Sequence, residues 1–269
     1  MIEIHDVVVR YPGAHAPAID GVSITLGAGE MVGVLGPNGS GKSTLARLCN
    51  ALIMPTDGSV TVDGMDTREP ASVWDIRSRV GFVQQNPDNQ IVGTVVEEDV
   101  AFGPENLGVP LPELRNRVDE ALALTGLSEL ARREPHLLSE GQKQRLAIAG
   151  ALAMRPSYLV LDEPTAMLDG QGRHDVAAIL GRLRASGVGI LYVSHHLQEV
   201  LVADRVVVLD GGRAVFEGTP RSLIEARRLP EGLDLPPVLQ LVAALRRHGI
   251  EVGPATVDAE AIVEALWPS

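Results

Sequence analysis

A glycine-rich stretch, GPNGSGKST at residues 36–44, constrains the fold of this chain more than any other feature. The short apolar run EMVGVL at 30–35 precedes it, and in KSTLARLCNAL at 42–52 apolar residues recur at helical spacing until Pro55. This order predicts a buried strand, a tight loop and a helix. The alternative is a plain strand-to-helix connection without a ligand, and the flanking strand and helix disfavour it.

The residue types in this loop suit a phosphate group. Gly36, Gly39 and Gly41 can adopt turn conformations that aim successive backbone N–H groups at phosphate oxygens, and Lys42 adds a positive charge. Ser43 supplies a hydroxyl for Mg²⁺, while the positive end of the helix dipole faces the same anion. The residues predicted to bind a nucleotide are Gly36, Pro37, Asn38, Gly39, Ser40, Gly41, Lys42, Ser43 and Thr44.

Two adjacent carboxylates end a second apolar segment, YLVLDE at 158–163. In a parallel sheet, ligands bind at the carboxyl ends of the strands. Asp162 is placed to hold Mg²⁺ directly or through water, and Glu163, which points differently, can polarise an attacking water. An ordinary solvated strand end is the alternative, but the upstream phosphate loop and the apolar strand favour the catalytic interpretation.

Charge and composition exclude several classes of function. The 269 residues include 35 Asp and Glu against 23 Lys and Arg, which argues against a main surface for nucleic acid and suits a basic protein partner. The single cysteine, Cys49, excludes an internal disulfide and fits a reducing cytosol as a small buried side chain. Neither a signal peptide nor a membrane span is expected, so another subunit would supply any part inside a membrane.

The pattern of apolar residues predicts an α/β core that is split by a helical insertion. Strands are predicted in IEIHDVVVRY, GVSITL, SVTVDG and RVGFVQQ, and again at 158–162, 189–195 and 205–218. Helices are predicted at 94–102, 111–125, 140–154 and 171–186. We therefore expect a core of residues 1–86 and 155–220, a helical subdomain of residues 87–154 and a C-terminal helical region of residues 221–269.

Taken together, the motifs resemble those of a known family. GPNGSGKST, RVGFVQQNPDNQ, LSEGQKQR, LVLDEPTAMLD and YVSHH recur in this order in the nucleotide-binding subunits of ABC ATPases, and the resemblance covers residues 1–220. It implies an α/β fold, a P-loop NTPase (RecA-like) ABC ATPase core with an antiparallel β region, a helical signature subdomain and a small C-terminal helical tail. It also implies ATP, Mg²⁺ and a dimer in which the P-loop of one copy and the signature of the other enclose ATP.

The resemblance assigns roles to single residues. It implies that Tyr11 stacks on adenine, with a plain β-edge tyrosine as the alternative, and that Glu163 is the catalytic base. Gln85 would sense Mg²⁺ and the attacking water, with Gln84 as the rival by a one-residue slip. His195 would contact the γ-phosphate, where a core or rim histidine is the alternative. The residues expected around Mg²⁺ are Ser43, Gln85 and Asp162.

The signature segment, LSEGQKQR at 138–145, departs from the family pattern at one position. The residues implied to cap the γ-phosphate across the dimer are Ser139, Glu140, Gly141 and Gln142. Glu140 stands where the family usually has glycine, and we expect its carboxylate to point along the start of the helix, where it favours the helix dipole. Asp169 belongs to the loop that links the two sites; in the same loop Ala166 replaces a common serine, so one cross-dimer hydrogen bond is expected to be missing.

Three further segments of the sequence resemble segments of the ATPases of energy-coupling factor (ECF) transporters, including the cobalt and nickel uptake type. The matching segments are NPDNQIVGTVVEEDVAFGPENLG at 86–108, AIAGALAMRP at 147–156 and GLDLPPVLQLVAALRRHGI at 232–250. In that family, the stretch after the Gln loop lines a groove for arginine-bearing helices of a transmembrane coupling protein, which an acidic groove would complement. The acidic residues expected in this groove are Glu97, Glu98, Asp99 and Glu105; a solvated helix face is the alternative.

The resemblance thus implies a peripheral subunit at the cytoplasmic face of the cell membrane. It would hydrolyse ATP to power uptake of a vitamin or of a cobalt or nickel ion, together with the coupling protein and a substrate-binding membrane subunit. An ATPase of a conventional ABC transporter is the nearer alternative, and a soluble ABC ATPase of DNA repair or translation the more distant one. A homodimer and a heterodimer with a related ATPase both stay open. The tail helix would serve dimerisation, or would pack on its own core.

Overall fold

The computed structural model describes residues 1–225 and Leu245. The strands in this part are β1 (Ile2–Val9), β2 (Ile19–Leu26), β3 (Met31–Leu35), β4 (Asp57–Val62), β5 (Met65–Asp66), β6 (Val80–Val83), β7 (Tyr158–Asp162), β8 (Gly189–Val193), β9 (Arg205–Asp210) and β10 (Arg213–Gly218). The α-helices are α1 (Lys42–Cys49), α2 (Val73–Arg79), α3 (Val96–Asn106), α4 (Leu111–Thr125), α5 (Glu140–Ala153), α6 (Gly170–Ala185), α7 (Leu197–Val200) and α8 (Pro220–Glu225). Apart from Leu245, the amphipathic segment predicted for the C-terminal region lies outside the described residues, so its dimerisation role stays a prediction.

The strands form two sheets. Strands β2, β1, β4 and β5 make an antiparallel sheet in that order. The second sheet has the order β10-β9-β3-β8-β7-β6, in which β9, β3, β8, β7 and β6 run parallel and β10 pairs with β9 as an antiparallel edge hairpin. The carboxyl ends of β3, β6, β7 and β8 therefore meet at one edge of this sheet.

The parallel strands are apolar at nearly every position because both of their faces are covered, and the charged residues Arg205, Asp210 and Asp162 stand at strand ends. On β3, Val32 and Val34 face α1 and the antiparallel sheet, whereas Met31 and Leu35 face the helical side. Gly33 also faces the helical side, where an added Cβ would lie 2.7 Å from the Cβ of Val200. The glycine thus allows α7 to pack directly on the strand.

Helices α3, α4 and α5 lie between β6 and β7 in the chain and pack on one another. Helix α4 has the bounds that the sequence predicts, and it ends at Gly126, which adopts a left-handed φ of 66°. Helix α5 begins after Ser139, as predicted. No helix among residues 1–225 is both long enough and apolar enough to cross a bilayer.

Several predicted elements, among them the following three, differ in their bounds from the structure. The helix expected at 94–102 begins at Val96 and continues to Asn106, because the extended backbone at Val95 delays its start. The strand expected at 205–218 turns back on itself as the hairpin β9–β10, since Gly211 and Gly212 both adopt positive φ. The strand expected at 189–195 ends at Val193.

Candidate active site

The predicted catalytic residues converge at one edge of the parallel sheet. The glycine-rich loop follows β3, Gln85 follows β6, Asp162 and Glu163 end β7, and His195 follows β8. Because parallel strands expose their carboxyl ends at the same edge, residues far apart in the chain come together here.

Backbone conformation shapes the glycine-rich loop. Gly36, Gly39 and Gly41 have φ values of 153°, 80° and 103°, and an added Cβ at Gly41 would lie 2.4 Å from the carbonyl oxygen of Ala18. Only glycine fits this last position, since both its φ and its close contact exclude a side chain. The loop ends where α1 begins, so its N–H groups lie at the positive end of that helix.

Lys42 is a buried cation at the centre of this loop. Its Nζ donates hydrogen bonds to the carbonyl oxygens of Gly36 (2.7 Å) and Pro37 (3.0 Å), and it lies 3.8 Å from Oε1 of Glu163. Burial lowers the pKa of Lys42, while the nearby Glu163 and Asp162 carboxylates oppose that shift. A phosphate group would add the negative charge that stabilises the ammonium form in this buried position.

Asp162 and Ser43 form a compact oxygen pair. The Ser43 hydroxyl donates to Oδ1 of Asp162 at 3.0 Å, and Asp162 is 4% exposed. Burial raises the pKa of Asp162, and the hydrogen bond from Ser43 opposes this rise. One carboxylate and one hydroxyl beside a phosphate loop fit Mg²⁺, which is held in proteins by few carboxylates together with substrate phosphates. Among residues 1–225, no group of three or more His, Cys, Asp and Glu side chains suits a metal ion.

Glu163 is the point at which the other predicted residues meet. Oε2 of Glu163 accepts a hydrogen bond from Nε2 of Gln85 at 3.1 Å and lies 3.1 Å from Nδ1 of His195. Its backbone has φ of 48°, which is unfavourable for a residue with a side chain, and its N–H donates to the carbonyl oxygen of Val193. The structure thus brings Lys42, Gln85 and His195 to one carboxylate.

The Gln84 side chain makes no hydrogen bond in the described part of the chain. Its backbone N–H donates to Oε1 of Gln90 at 3.1 Å, and Nε2 of Gln90 donates to the Phe82 carbonyl at 3.0 Å. Gln90, which the sequence analysis did not single out, therefore holds the segment that carries Gln85. No periodicity or motif in the sequence points to this contact, because it depends on the loop after β6 folding back.

Tyr11 and Asp169 make separate contacts, Tyr11 with Thr44 and Asp169 with the start of α6. The Tyr11 hydroxyl is 3.2 Å from Oγ1 of Thr44, the last residue of the glycine-rich loop, and the tyrosine is 40% exposed. A ring in this place can contact a base that is attached to phosphates in the loop. The Asp169 side chain accepts a hydrogen bond from the N–H of Gly172 and so caps α6.

The signature segment forms a capping box at the start of α5. Ser139 Oγ accepts from the N–H of Gln142, and Gln142 Oε1 accepts from the N–H of Ser139. The Glu140 carboxylate lies 3.1 Å from Nζ of Lys143, along the helix as expected. Among residues 1–225, no hydrogen bond joins this segment to the glycine-rich loop.

Lys143 is a second residue that sequence reasoning missed. Its Nζ also lies 2.9 Å from Oδ1 of Asp88, and the hydrogen bonds from Lys143 to Asp88 and Glu140 raise the pKa of this lysine. The ion pair ties the loop after β6 to the first turn of α5. The i, i+3 spacing of Glu140 and Lys143 on a helix could have predicted the contact between these two residues. The contact between Lys143 and Asp88 has no such signal in the sequence.

The expected acidic groove needs one correction. Asp99 is 8% exposed, and its Oδ1 accepts hydrogen bonds from the N–H groups of Val92 (2.7 Å) and Gly93 (2.8 Å). Oδ1 of this carboxylate is therefore bonded to the chain's own backbone, and burial leaves little of the side chain exposed to a partner. The other three acidic residues predicted there, Glu97, Glu98 and Glu105, are exposed.

A cavity of about 390 Å³ lies beside this helix start. The residues that line it are Asp88, Ile91, Gly93, Thr94, Glu134, Pro135, His136 and Lys143. It lies between the loop after β6 and the segment before α5, and two acidic residues, Asp88 and Glu134, line it.

The chain is similar to ATP-binding subunits of ABC transporters along most of its length. The family profile described as ABC transporter matches residues 19–166. The energy-coupling factor transporter ATP-binding protein EcfA1 of Symbiobacterium thermophilum is 56% identical over 252 residues, which is 93% of this chain and 88% of that protein.

Solved structures show the same likeness. The structure of cbiO1 from Clostridium perfringens, described as part of the ABC transporter complex cbiONQ, superposes with a TM-score of 0.78 at 33% identity, over 92% of this chain and 96% of that one. The dimeric ATP-binding cassette MJ0796, in a post-hydrolysis state with ADP and Pi, gives a TM-score of 0.75 at 30% identity, over 82% of this chain and 99% of that one.

Proposed function

Because this chain belongs to the ABC transporter family and is an ATPase of the energy-coupling factor and cobalt-import type, we propose that it powers uptake of a micronutrient through a separate membrane complex. That complex would contain a transmembrane coupling protein and a substrate-binding membrane subunit, and the cargo would be a vitamin or a cobalt or nickel ion. The observation that carries the proposal is the Glu163 carboxylate, which lies within 3.1 Å of both Gln85 and His195 beside the glycine-rich loop.

ATP hydrolysis at this site needs a phosphate cradle, a cation and a base. The glycine-rich loop and Lys42 bind the phosphates, which the loop N–H groups and the ammonium neutralise. Ser43 and Asp162 would hold Mg²⁺, which supplies positive charge to the β- and γ-phosphate oxygens when bound. Glu163 accepts a proton from the attacking water, and Gln85 and His195 fix the direction in which its carboxylate points.

The signature would act on ATP bound to another copy. The start of α5 carries free N–H groups at the positive end of a helix of 14 residues, which favours a γ-phosphate. In this proposal, a second subunit would supply the phosphate that this segment caps. Two ATP molecules would close the dimer by binding the closed state more tightly than the open one.

The coupling protein would dock beside the loop after β6. Glu97, Glu98 and Glu105 are exposed on α3, and the 390 Å³ cavity nearby is lined by Glu134 and by Asp88, whose carboxylate is paired with Lys143. An acidic surface of this kind favours helices that carry arginine. The loop that forms the cavity also carries Gln85, which contacts Glu163. Movement of the partner would therefore change the geometry at Glu163. This docking would place the subunit at the cytoplasmic face of the membrane.

ATPase measurements with the purified membrane complex test the mechanism. Replacing the base with Glu163→Gln should lower kcat by at least about 100-fold, the usual contribution of general base catalysis, and should trap dimers that retain ATP. Glu129→Gln, at an exposed glutamate in a turn after α4, is the matched control and should keep the wild-type rate. Turnover by Glu163→Gln at the wild-type rate would contradict the assignment.

Recovery of the partners tests the transporter type. We expect the chain, isolated from membranes with mild detergent, to bring down a coupling protein and a small substrate-binding subunit, identified by mass spectrometry. Two copies of an ordinary permease would instead indicate a conventional ABC transporter. A related second ATPase in the same fraction would identify a heterodimer.

A further inference from the structure

Glu199 on α7 accepts hydrogen bonds from several hydroxyl groups. Its Oε1 accepts from Oγ1 of Thr165 at 2.7 Å, and its Oε2 accepts from Oγ of Ser194 at 2.6 Å and from the Tyr192 hydroxyl at 3.4 Å. These three partners are 1–3% exposed. Because these three side chains are buried, their positions are restricted by packing, and Glu199 connects them to one another.

The hydroxyls belong to the two segments that carry the reacting residues. Thr165 follows Glu163 and Pro164 at the end of β7, and Ser194 directly precedes His195 at the end of β8. Ser194 Oγ also accepts a hydrogen bond from the N–H of His196 at 2.9 Å. One carboxylate therefore bridges the backbone on both sides of the contact between Glu163 and His195.

A carboxylate suits this position because it only accepts hydrogen bonds, and its hydroxyl partners can donate. No lysine, arginine or histidine forms an ion pair with Glu199 within residues 1–225, so its charge is balanced by these donors rather than by a cation. Burial raises the pKa of Tyr192, and the charge of Glu199 raises it further, so the phenol stays protonated and remains a donor. Hydrogen bonds to an ionised acceptor are about twice as strong as neutral ones.

The bridge lies in the wall of a larger cleft next to the phosphate loop. This cleft of about 1090 Å³ is lined by Pro37 and Asn38 of that loop and also by Thr165, Tyr192, His195 and Glu199. A change in the bridge is therefore a change in the wall of the cleft that also contains Pro37, Asn38 and His195.

We propose that Glu199 is a positioning residue for ATP hydrolysis, which sets the distance between Glu163 and His195 by tying residues 163–165 to residues 194–196. This inference rests on the proposed function and adds a residue that touches neither ATP nor the attacking water. Loss of the tie leaves the phosphate loop and its nucleotide contacts in place. It disturbs the relative placement of the base and the histidine.

Steady-state ATPase measurements on the membrane complex test the idea. Glu199→Ala should lower kcat by about 10- to 100-fold, the cost of misplacing reactive groups by about 1 Å, while KM for ATP changes less than about threefold. Glu199→Gln keeps the shape but offers one acceptor oxygen instead of two, so its kcat should lie between those of Glu199→Ala and the wild type. Glu129→Ala, at an exposed glutamate that does not line this cleft, is the control and should keep the wild-type kcat.

A double variant separates positioning from a merely structural role. If Glu199 acts through His195, then Glu199→Ala combined with His195→Ala should be no more than about twofold slower than His195→Ala alone, because the two residues act as one unit. Independent effects that multiply would overturn the proposal. Thermal unfolding and binding of a fluorescent ATP analogue report whether each variant is folded. If Glu199→Ala fails to fold, Glu199→Gln carries the same comparison.

The outcomes also separate this inference from the function on which it rests. A wild-type complex that hydrolyses ATP, with both Glu199 variants at the wild-type kcat, would overturn the positioning role alone. A wild-type complex that hydrolyses no ATP would overturn the proposed function and the positioning role together.

Discussion

Glu163 shows how a single residue can be held in a costly conformation for chemistry. A φ of 48° costs a residue with a side chain about 1–2 kcal/mol relative to right-handed backbone. Hydrogen bonds from its N–H to the Val193 carbonyl and from the Ala166 N–H to its own carbonyl stabilise the turn. As a result, the Glu163 carboxylate contacts Gln85 and His195, whereas the carboxylate of the preceding residue, Asp162, contacts Ser43.

Gln85 and Gln84 form a matched pair for testing at this scale. Gln85→Ala removes the amide that donates to Glu163, so we expect kcat to fall by about 10- to 100-fold. Gln84→Ala should stay within about twofold of the wild type, because it is the backbone of Gln84 that is bonded to Gln90. ATPase rates at saturating Mg-ATP decide between them. The reverse order would show that the rival alignment is right.

Cys49 offers a probe of folding. It is 1% exposed, and burial raises the pKa of its thiol to about 12, so at pH 8 only about one thiol in ten thousand is ionised in the folded protein. We expect iodoacetamide to label Cys49 only when the chain unfolds, as followed by mass spectrometry. Protein in denaturant provides the fully labelled reference. Rapid labelling of the native protein would mean that α1 opens locally.

At the level of elements, the sequence predicts the helices, strands and loops that have a local motif or a clear apolar periodicity. The glycine-rich loop, the strand that ends in Asp162 and Glu163, and the capping serine of α5 combine residue types with spacing, so they were predictable. Helix α4 was predictable from its apolar periodicity and from the glycine that ends it. The shift of α3 and the burial of Asp99 were not, because both depend on the segment 91–93 folding over the start of that helix.

Substitutions at Asp99 and Glu97 are therefore expected to affect stability differently, although both residues lie in the first turn of α3. Asp99→Ala leaves the N–H groups of Val92 and Gly93 without their acceptor, so the free energy of unfolding should fall by about 1–3 kcal/mol. Glu97→Ala, at an exposed position, should change stability by less than about 0.5 kcal/mol. Urea denaturation of the isolated chain measures both.

The partner-binding role of this helix would appear in Glu97→Ala, as weaker recovery of the coupling protein. A loss of recovery with Asp99→Ala alone, at unchanged stability, would restore Asp99 to the docking surface.

Across the whole molecule, Asp63 connects the two sheets. It follows β4 of the antiparallel sheet, and its Oδ1 accepts a hydrogen bond at 2.8 Å from the hydroxyl of Tyr158, the first residue of β7 in the parallel sheet. The amino group of Met1 and the guanidinium of Arg79 also bind its carboxylate. Burial alone would raise the pKa of Asp63, but these hydrogen bonds outweigh it and lower the pKa to about 2.

The contacts of the Asp63 carboxylate predict how the stability of the chain depends on pH. Because the pKa of Asp63 is about 2 in the folded chain and about 3.9 in an unfolded one, its contribution is fully present above about pH 5 and is lost as the pH falls toward 2. Because solvent screens this exposed carboxylate, Asp63→Asn should lower the free energy of unfolding by about 1 kcal/mol at pH 7, with a difference from wild type that shrinks steadily below pH 4. Asp75→Asn, at an exposed carboxylate on α2, is the control and should show no comparable difference at pH 7. Urea denaturation curves at pH 7, 4 and 3 provide the measurement. A difference for Asp63→Asn that stays constant over this range would mean that the lost acceptor oxygen, rather than the lost charge, accounts for the effect.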